Sequence, residues 1–116
     1  MDSKPDMAEQ NRQTDVKRLY IILCGYEILP KSVSVADADP RLMLCEPICA
    51  YLLETRHGWV LLDAGLDPAH IEEPAERKKY FTSLNMVPPI IKPAHNLEYQ
   101  LATLGIKKED IIWVIL

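Results

Sequence analysis

Three groups of residues in this sequence are of types and spacings that bear on chemistry: three histidines, two close cysteines, and an aspartate that closes an apolar run. His57, His70 and His95 stand far apart with no second histidine at i+2 or i+4, so none of them begins a local metal motif. Their settings predict exposed polar histidines: His57 in a turn, His70 in the first turn of a helix, His95 beside a helix cap. Cys45 and Cys49 are four residues apart, yet no further ligand follows at zinc-finger spacing. A metal site completed by a histidine is the weaker reading of this pair, and small core residues the stronger. Asp63 follows an apolar run and precedes Ala64 and Gly65, which puts a carboxylate where a chain leaves a sheet. That is a frequent place for site residues in layered α/β folds, and equally the place where an Asp caps a turn. The sequence contains no Gly-x-Gly-x-x-Gly, no phosphate-binding loop of the Walker type, no Gly-x-Ser-x-Gly and no His-Glu-x-x-His.

The elements that must position these residues follow from periodicity and punctuation. Leu19–Cys24 is a short apolar run stopped by Gly25, which predicts a buried strand. Residues 30–47 mix Ser, Asp, Ala and Pro with scattered apolar positions and are expected to be mostly loop. Ile48–Glu54 and Trp59–Asp63 flank Thr55-Arg56-His57-Gly58, the pattern of a β-hairpin. Asp67-Pro68 then reads as a helix start, and the order of Glu72, Glu73 and Glu76 before Lys78 and Lys79 suits a helical segment divided by Pro74. Asn96 is placed to cap a helix carrying Leu97, Leu101 and Leu104, with Gly105 to end it. Six consecutive apolar residues, Ile111–Leu116, predict a strand covered on both faces.

Composition bounds the class. The 116 residues are 48% hydrophobic and 26% charged, the balance of a globular domain. A net charge of −4 and a pI near 5.3 argue against a nucleic-acid partner. No apolar run reaches the roughly 18 residues of a membrane span, and the polar start is unlike a signal peptide, so a cytoplasmic location and no membrane partner are expected. Cys24, Cys45 and Cys49 are an odd number and read as reduced thiols. Residues 1–16 lack apolar periodicity and are expected to form a disordered polar tail, reaching to about Lys17, with residues 17–116 as the domain.

The segment Pro47-Ile-Cys-Ala-Tyr-Leu-Leu-Glu-Thr-Arg-His-Gly-Trp-Val-Leu-Leu-Asp63-Ala-Gly65 resembles the opening hairpin of the metallo-β-lactamase superfamily, where a Tyr-Leu-x-x-Thr-x-x-Gly strand and turn lead into Leu-x-Asp-x-Gly. Within that superfamily the chain is most similar to the N-acyl homoserine lactonase group, through Lys17–Ile22, Ser32-Val33, the Cys-containing strand before the hairpin, and the helix and strand from Leu101 to Leu116. The resemblance covers all but the amino-terminal tail.

It implies an α/β (α+β) fold: the amino-terminal half of an αββα sandwich, a mixed sheet with outer helices. For the full-length family it implies two zinc or other divalent ions and hydrolytic ring opening of a small-molecule lactone or related ester by a metal-bound hydroxide. In the family the strand equivalent to Ile111–Leu116 is followed at once by His-x-His-x-Asp-His, which is absent from this sequence. The resemblance therefore implies a part of a hydrolase that is inactive by itself, with no catalytic residue and no metal ligand of its own. Asp63 and Gly65 would be structural, orienting the loops that carry the ligands. The competing expectation is a stand-alone, non-catalytic binding or assembly module. Under either reading half a sandwich leaves a sheet face bare, so self-association through that face is expected.

Overall fold

The computed structural model describes residues 15–116. The expectation of a disordered tail falls mostly on residues outside that range. Its last residues are placed: the Asp15 carboxylate lies 2.8 Å from the Arg56 guanidinium, and Val16 opens the first strand opposite Thr55.

Strands β1 (Val16–Pro30), β2 (Met43–Thr55), β3 (Gly58–Leu62) and β4 (Ile111–Ile115) form one sheet in the order β1-β2-β3-β4. The first three pair antiparallel and β4 pairs parallel to β3, so the sheet is mixed. Short helices α1 (Ala69–Glu72), α2 (Pro74–Tyr80) and α3 (Leu97–Thr103) lie in the crossover from β3 to β4. Pro74 opens α2, where its missing N–H costs nothing, and Asn96 caps α3 by accepting from Tyr99 N at 2.9 Å. Gly105 takes a φ of 75° just past that helix, as its position predicts.

Two expectations about β1 and β2 are corrected. Gly25 does not stop the first strand, which runs on to Pro30. Leu23 pairs with Cys49 and Gly25 with Ile48, so Cys24 is the extra residue of a β-bulge. Gly25 has a φ of 138°, and a Cβ there would lie 2.7 Å from the Ile90 carbonyl oxygen. The glycine lets the 90–91 segment cross the strand, where Tyr26 and Ile90 exchange backbone hydrogen bonds of 2.9 and 2.8 Å. The amide of Gln100 on α3 donates to the Leu23 carbonyl at the bulge over 2.8 Å. The expected loop at residues 30–47 is also shorter, because β2 begins at Met43. Pro47 is compatible with that strand because β3 pairs only with Tyr51–Thr55, leaving β2 an edge at Pro47 on its β3 side.

Alternation sorts the side chains onto two faces. On one, Ile22, Cys24, Ala50, Leu52 and Leu61 are buried against Leu101 of α3 and Ile106, with Tyr20, Ile48, Trp59, Leu97 and Ile111 around them. On the other, the pairings align Leu19, Leu53, Val60 and Trp113 in one row and Ile21, Tyr51, Leu62 and Ile115 in the next, followed by Leu23 beside Cys49. This second face is bare: Ile21 is 67% and Trp113 66% exposed. The strand at Ile111–Ile115 forms as expected, but the described chain does not cover it on both faces. It is a sheet edge whose last four residues are exposed.

Candidate functional site

The sequence singled out Asp63, and the structure places it where the parallel strands β3 and β4 end side by side. Its N–H donates to the Ile115 carbonyl at 2.7 Å, extending the β3–β4 ladder by one bond beyond Leu62. There the chain must turn away from the sheet, and Asp63 does so with a φ of 64°. Aspartate tolerates this left-handed conformation because its short side chain bonds locally. Its Oδ1 accepts from Ala64 N at 2.6 Å and Gly65 N at 3.1 Å. The carboxylate therefore caps the turn that follows it, and the other oxygen lies outside those two bonds.

Gly65 completes the turn with a φ of 70°. A Cβ at this position would stand 2.7 Å from Cys24 Cβ and 3.1 Å from its Sγ, so the loop rests directly on the bulged residue of β1. Asp67 continues the local capping: its Oδ1 accepts from Ala69 N at 3.0 Å and starts α1. Residues 64–68 together with Asn96, Leu97, Glu98 and Leu116 line an open depression of about 560 Å³ beside the carboxyl end of β4. Asp67, Asn96 and Glu98 are its polar side chains.

The histidines remain apart. His57 is exposed in the hairpin turn. His70 is half-buried, its ring 4.2 Å from that of Tyr80 and its Nδ1 3.4 Å from Glu76 Oε2 without a hydrogen bond between them. His95 Nδ1 accepts from Lys92 N at 3.0 Å, and the ring meets Tyr26 edge-on at 5.8 Å. The expectation of exposed histidines thus holds for His57 only, because ring contacts draw the other two partly under cover.

The cysteines also divide. Cys24 is buried, and burial pushes its thiol pKa up. Cys49 is half-buried and Cys45 is exposed, so Cys45 is not the small core residue expected of it. It lies on the stretch of β2 beyond the reach of β3, opposite Ile28 of β1. Four residues of strand separate the pair by roughly 13 Å, too far to share an ion. Among the described residues no group of three or more His, Cys, Asp or Glu is placed to hold a metal. The residues present do not fit the family's metal centre.

Sequence reasoning missed Cys24 and Gln100 as parts of this site's support. Both act through the bulge: Cys24 as the floor under Gly65, Gln100 as the donor that satisfies the Leu23 carbonyl. The only available signal was Cys24-Gly25 inside an apolar run, and a glycine there reads equally as a stop or as a bulge.

No protein-family model matches the chain. Among curated proteins it is similar to an N-acyl homoserine lactonase of Bacillus cereus, at 27% identity over 100 residues, 86% of this chain and 40% of that one. The corresponding Bacillus thuringiensis enzyme is 26% identical over the same shares. Among solved structures it superposes on an N-acyl homoserine lactone hydrolase holding N-hexanoyl-L-homoserine at its catalytic metal centre, with a TM-score of 0.74 and 25% identity. That alignment covers 87% of this chain and 40% of the other. A quorum-quenching N-acyl homoserine lactone lactonase gives a TM-score of 0.66 at 24% identity. The chain thus spans about 40% of the length of the curated relatives it matches. Its mixed sheet with helices carries the fold of these lactonases, and the resemblance drawn from the hairpin is borne out.

Proposed function

We propose that this chain is the amino-terminal part of a metal-dependent hydrolase that opens the lactone ring of N-acyl homoserine lactones. The observation that carries the reading is the superposition of 87% of the chain on 40% of a lactone hydrolase, in agreement with lactonase relatives at 26–27% identity. The product bound to that hydrolase, N-hexanoyl-L-homoserine, supports a lactone as the substrate class. Zinc as the metal, quorum quenching as the role and the cytoplasm as the location belong to the same proposal. Among the described residues no helix is long and apolar enough to cross a membrane, and the cysteine number is odd.

No catalytic step is assigned to this chain, because its described residues assemble no metal-ligand cluster. Its contribution is positional. Asp63 fixes the turn at the ends of β3 and β4 and, through its N–H bond to Ile115, holds the point from which the chain leaves β4. Gly65 seats that turn on Cys24. A loop after β4 that carried metal ligands would start from this fixed position. The alternative of an independent non-catalytic module is not favoured by the lactonase relatives.

Two measurements on one substrate test the reading. The 116-residue chain, supplied with zinc and N-hexanoyl homoserine lactone, is expected to show no ring opening. A Bacillus cereus lactonase whose aligned segment is replaced by residues 15–116 of this chain is expected to retain it. Turnover by the chain alone, or a folded graft that leaves the lactone intact, overturns the proposal.

A further inference from the structure

We infer that the imidazole of His95 is an acid-sensitive latch, which holds the 90–95 segment across β1 while it is neutral and releases it on protonation. The inference stands on the geometry of this turn and not on the lactonase reading.

Residues Pro93–His95 form a single 3-10 turn between the crossing at Ile90 and the start of α3. Two bonds between the same pair of residues close it. The His95 N–H donates to the Lys92 carbonyl at 2.8 Å, and the Lys92 N–H donates to His95 Nδ1 at 3.0 Å. The second bond fixes the state of the ring. A neutral imidazole has one N–H and one bare nitrogen, so Nδ1 accepts only while the proton sits on Nε2. An imidazolium carries N–H on both nitrogens and accepts from nothing. Protonation would therefore set two N–H groups against each other across 3.0 Å, and either the ring leaves or the Lys92 N–H loses its partner.

The surroundings do not compensate the added charge. The elements packed against the turn bring Tyr26 and Glu27 from β1, and Glu98 and Tyr99 from α3. Glu72 of α1 lines a neighbouring depression with Lys92 and Pro93. Tyr26 meets the His95 ring edge-on, and among the described residues none of these three carboxylates forms an ion pair with it. Lys92, in the turn itself, has the same sign as an imidazolium. His70 is the contrast: its Nδ1 stands 3.4 Å from Glu76 Oε2, so protonation there gains a partner where at His95 it removes one.

The turn is tied to the support of the candidate site. Two residues before Lys92, Ile90 exchanges backbone bonds of 2.9 and 2.8 Å with Tyr26. The His95 carbonyl accepts from the Gln100 amide at 3.1 Å, and the same amide donates to the Leu23 carbonyl at the β1 bulge over 2.8 Å. Cys24 of that bulge carries the Gly65 turn. Opening the latch thus loosens the crossing at Tyr26 and the tie of Gln100 to the bulge, while the core around Leu52 is held by other contacts.

The test is nuclear magnetic resonance of the full 116-residue chain as pH falls from about 8 to about 5, the range in which histidines change charge. At the upper end the His95 ring should be the Nε2–H tautomer with Nδ1 bare. As the ring takes up a proton, the Lys92 amide resonance should titrate with it. Solvent exchange at the Lys92 and Ile90 amides, corrected for the intrinsic effect of pH, should rise about tenfold, the loss of one hydrogen bond, with Leu52 unchanged. His95→Asn offers an acceptor that does not titrate and should abolish the rise, whereas His95→Ala should show fast exchange at every pH. An Nδ1–H tautomer at the upper end overturns the inference, and so does exchange at Lys92 that does not change with pH. An acid response that persists in His95→Asn overturns it too and assigns the response to another group. Should a variant fail to fold, the tautomer and the exchange of the unchanged chain decide the matter. None of these results depends on lactone hydrolysis, so failure here leaves the proposed function standing, and the reverse holds.

Discussion

Replacing Gly65 by alanine isolates the contact that seats the Asp63 turn on the sheet. Two costs are expected. The first is conformational: Gly65 has a φ of 70°, and an L-residue with a Cβ pays about 1–2 kcal/mol there. The second is steric, because the new Cβ would stand 2.7 Å from Cys24 Cβ and 3.1 Å from its Sγ, against an ordinary carbon separation of about 3.5–4.0 Å. Cys24 is in the bulge and buried, so it has little room to give, and overpacking of this kind costs about 1–3 kcal/mol. Gly105 provides the control, with a φ of 75° and nothing within 4 Å of the position a Cβ would take. Gly105→Ala should therefore pay the conformational cost alone, and Gly65→Ala should exceed it by about 1–3 kcal/mol. The assay is urea unfolding of the full chain at one protomer concentration, comparing midpoints at equal slope. A Cys24→Ala change in the Gly65→Ala background removes the Sγ contact but not the Cβ contact, so only partial rescue is expected. If the two glycine variants cost the same, the close approach to Cys24 contributes nothing and the account of how this turn is held fails.

Four further outcomes follow from the structure. Gly25→Ala would put a Cβ 2.7 Å from the Ile90 carbonyl oxygen, so hydrogen exchange at the Tyr26 and Ile90 amides should accelerate while exchange at Leu52 is far less affected; protection at those two amides equal to that of the unchanged chain would refute the crossing role. Asp63→Asn keeps an acceptor and a residue type at home with positive φ, whereas Asp63→Ala loses the bonds to Ala64 and Gly65 and should cost about 1–3 kcal/mol more; urea midpoints that rank the two alike would refute the capping role. Iodoacetamide should label exposed Cys45 first and buried Cys24 last, followed by mass spectrometry. Because burial raises the folded Cys24 pKa, the stability it contributes is present below the unfolded thiol value of about 8.5 and is lost as pH rises through the folded value. Cys24→Ala should flatten that alkaline decline, and an unchanged decline would assign it to other groups.

The parts of this fold that were legible in the sequence are those set by short-range rules. The hairpin, the Pro74 division, the Asn96 cap and the Gly105 stop each depend on residues within a few positions of one another. What escaped depended on distant partners. Gly25 looks like the end of a strand until Ile90, far along the chain, is seen to cross it. Residues 43–47 look like loop until β1, continuing past its bulge, offers them a partner strand. Asp63 could be placed at the end of a strand from sequence, but its choice between site residue and cap required the Oδ1 bonds to Ala64 and Gly65.

The unbroken apolar run at Ile111–Ile115 poses the same problem at the edge of the sheet. A strand apolar on both faces needs cover on both, and the described chain supplies only one, through Ile111 and the helix-covered core. The same imbalance runs across the sheet: on β1, Ile22 is 4% exposed while its neighbour Ile21 is 67% exposed, although the two side chains are chemically identical. Intrinsic strand preference cannot distinguish them; only what packs on each face can. The apolar residues on the bare face are therefore matched to a surface that the described chain lacks. In the proposed hydrolase that surface is the remainder of the sandwich. A lysine at position 21 should therefore disrupt that packing while leaving the helix-covered core as it is.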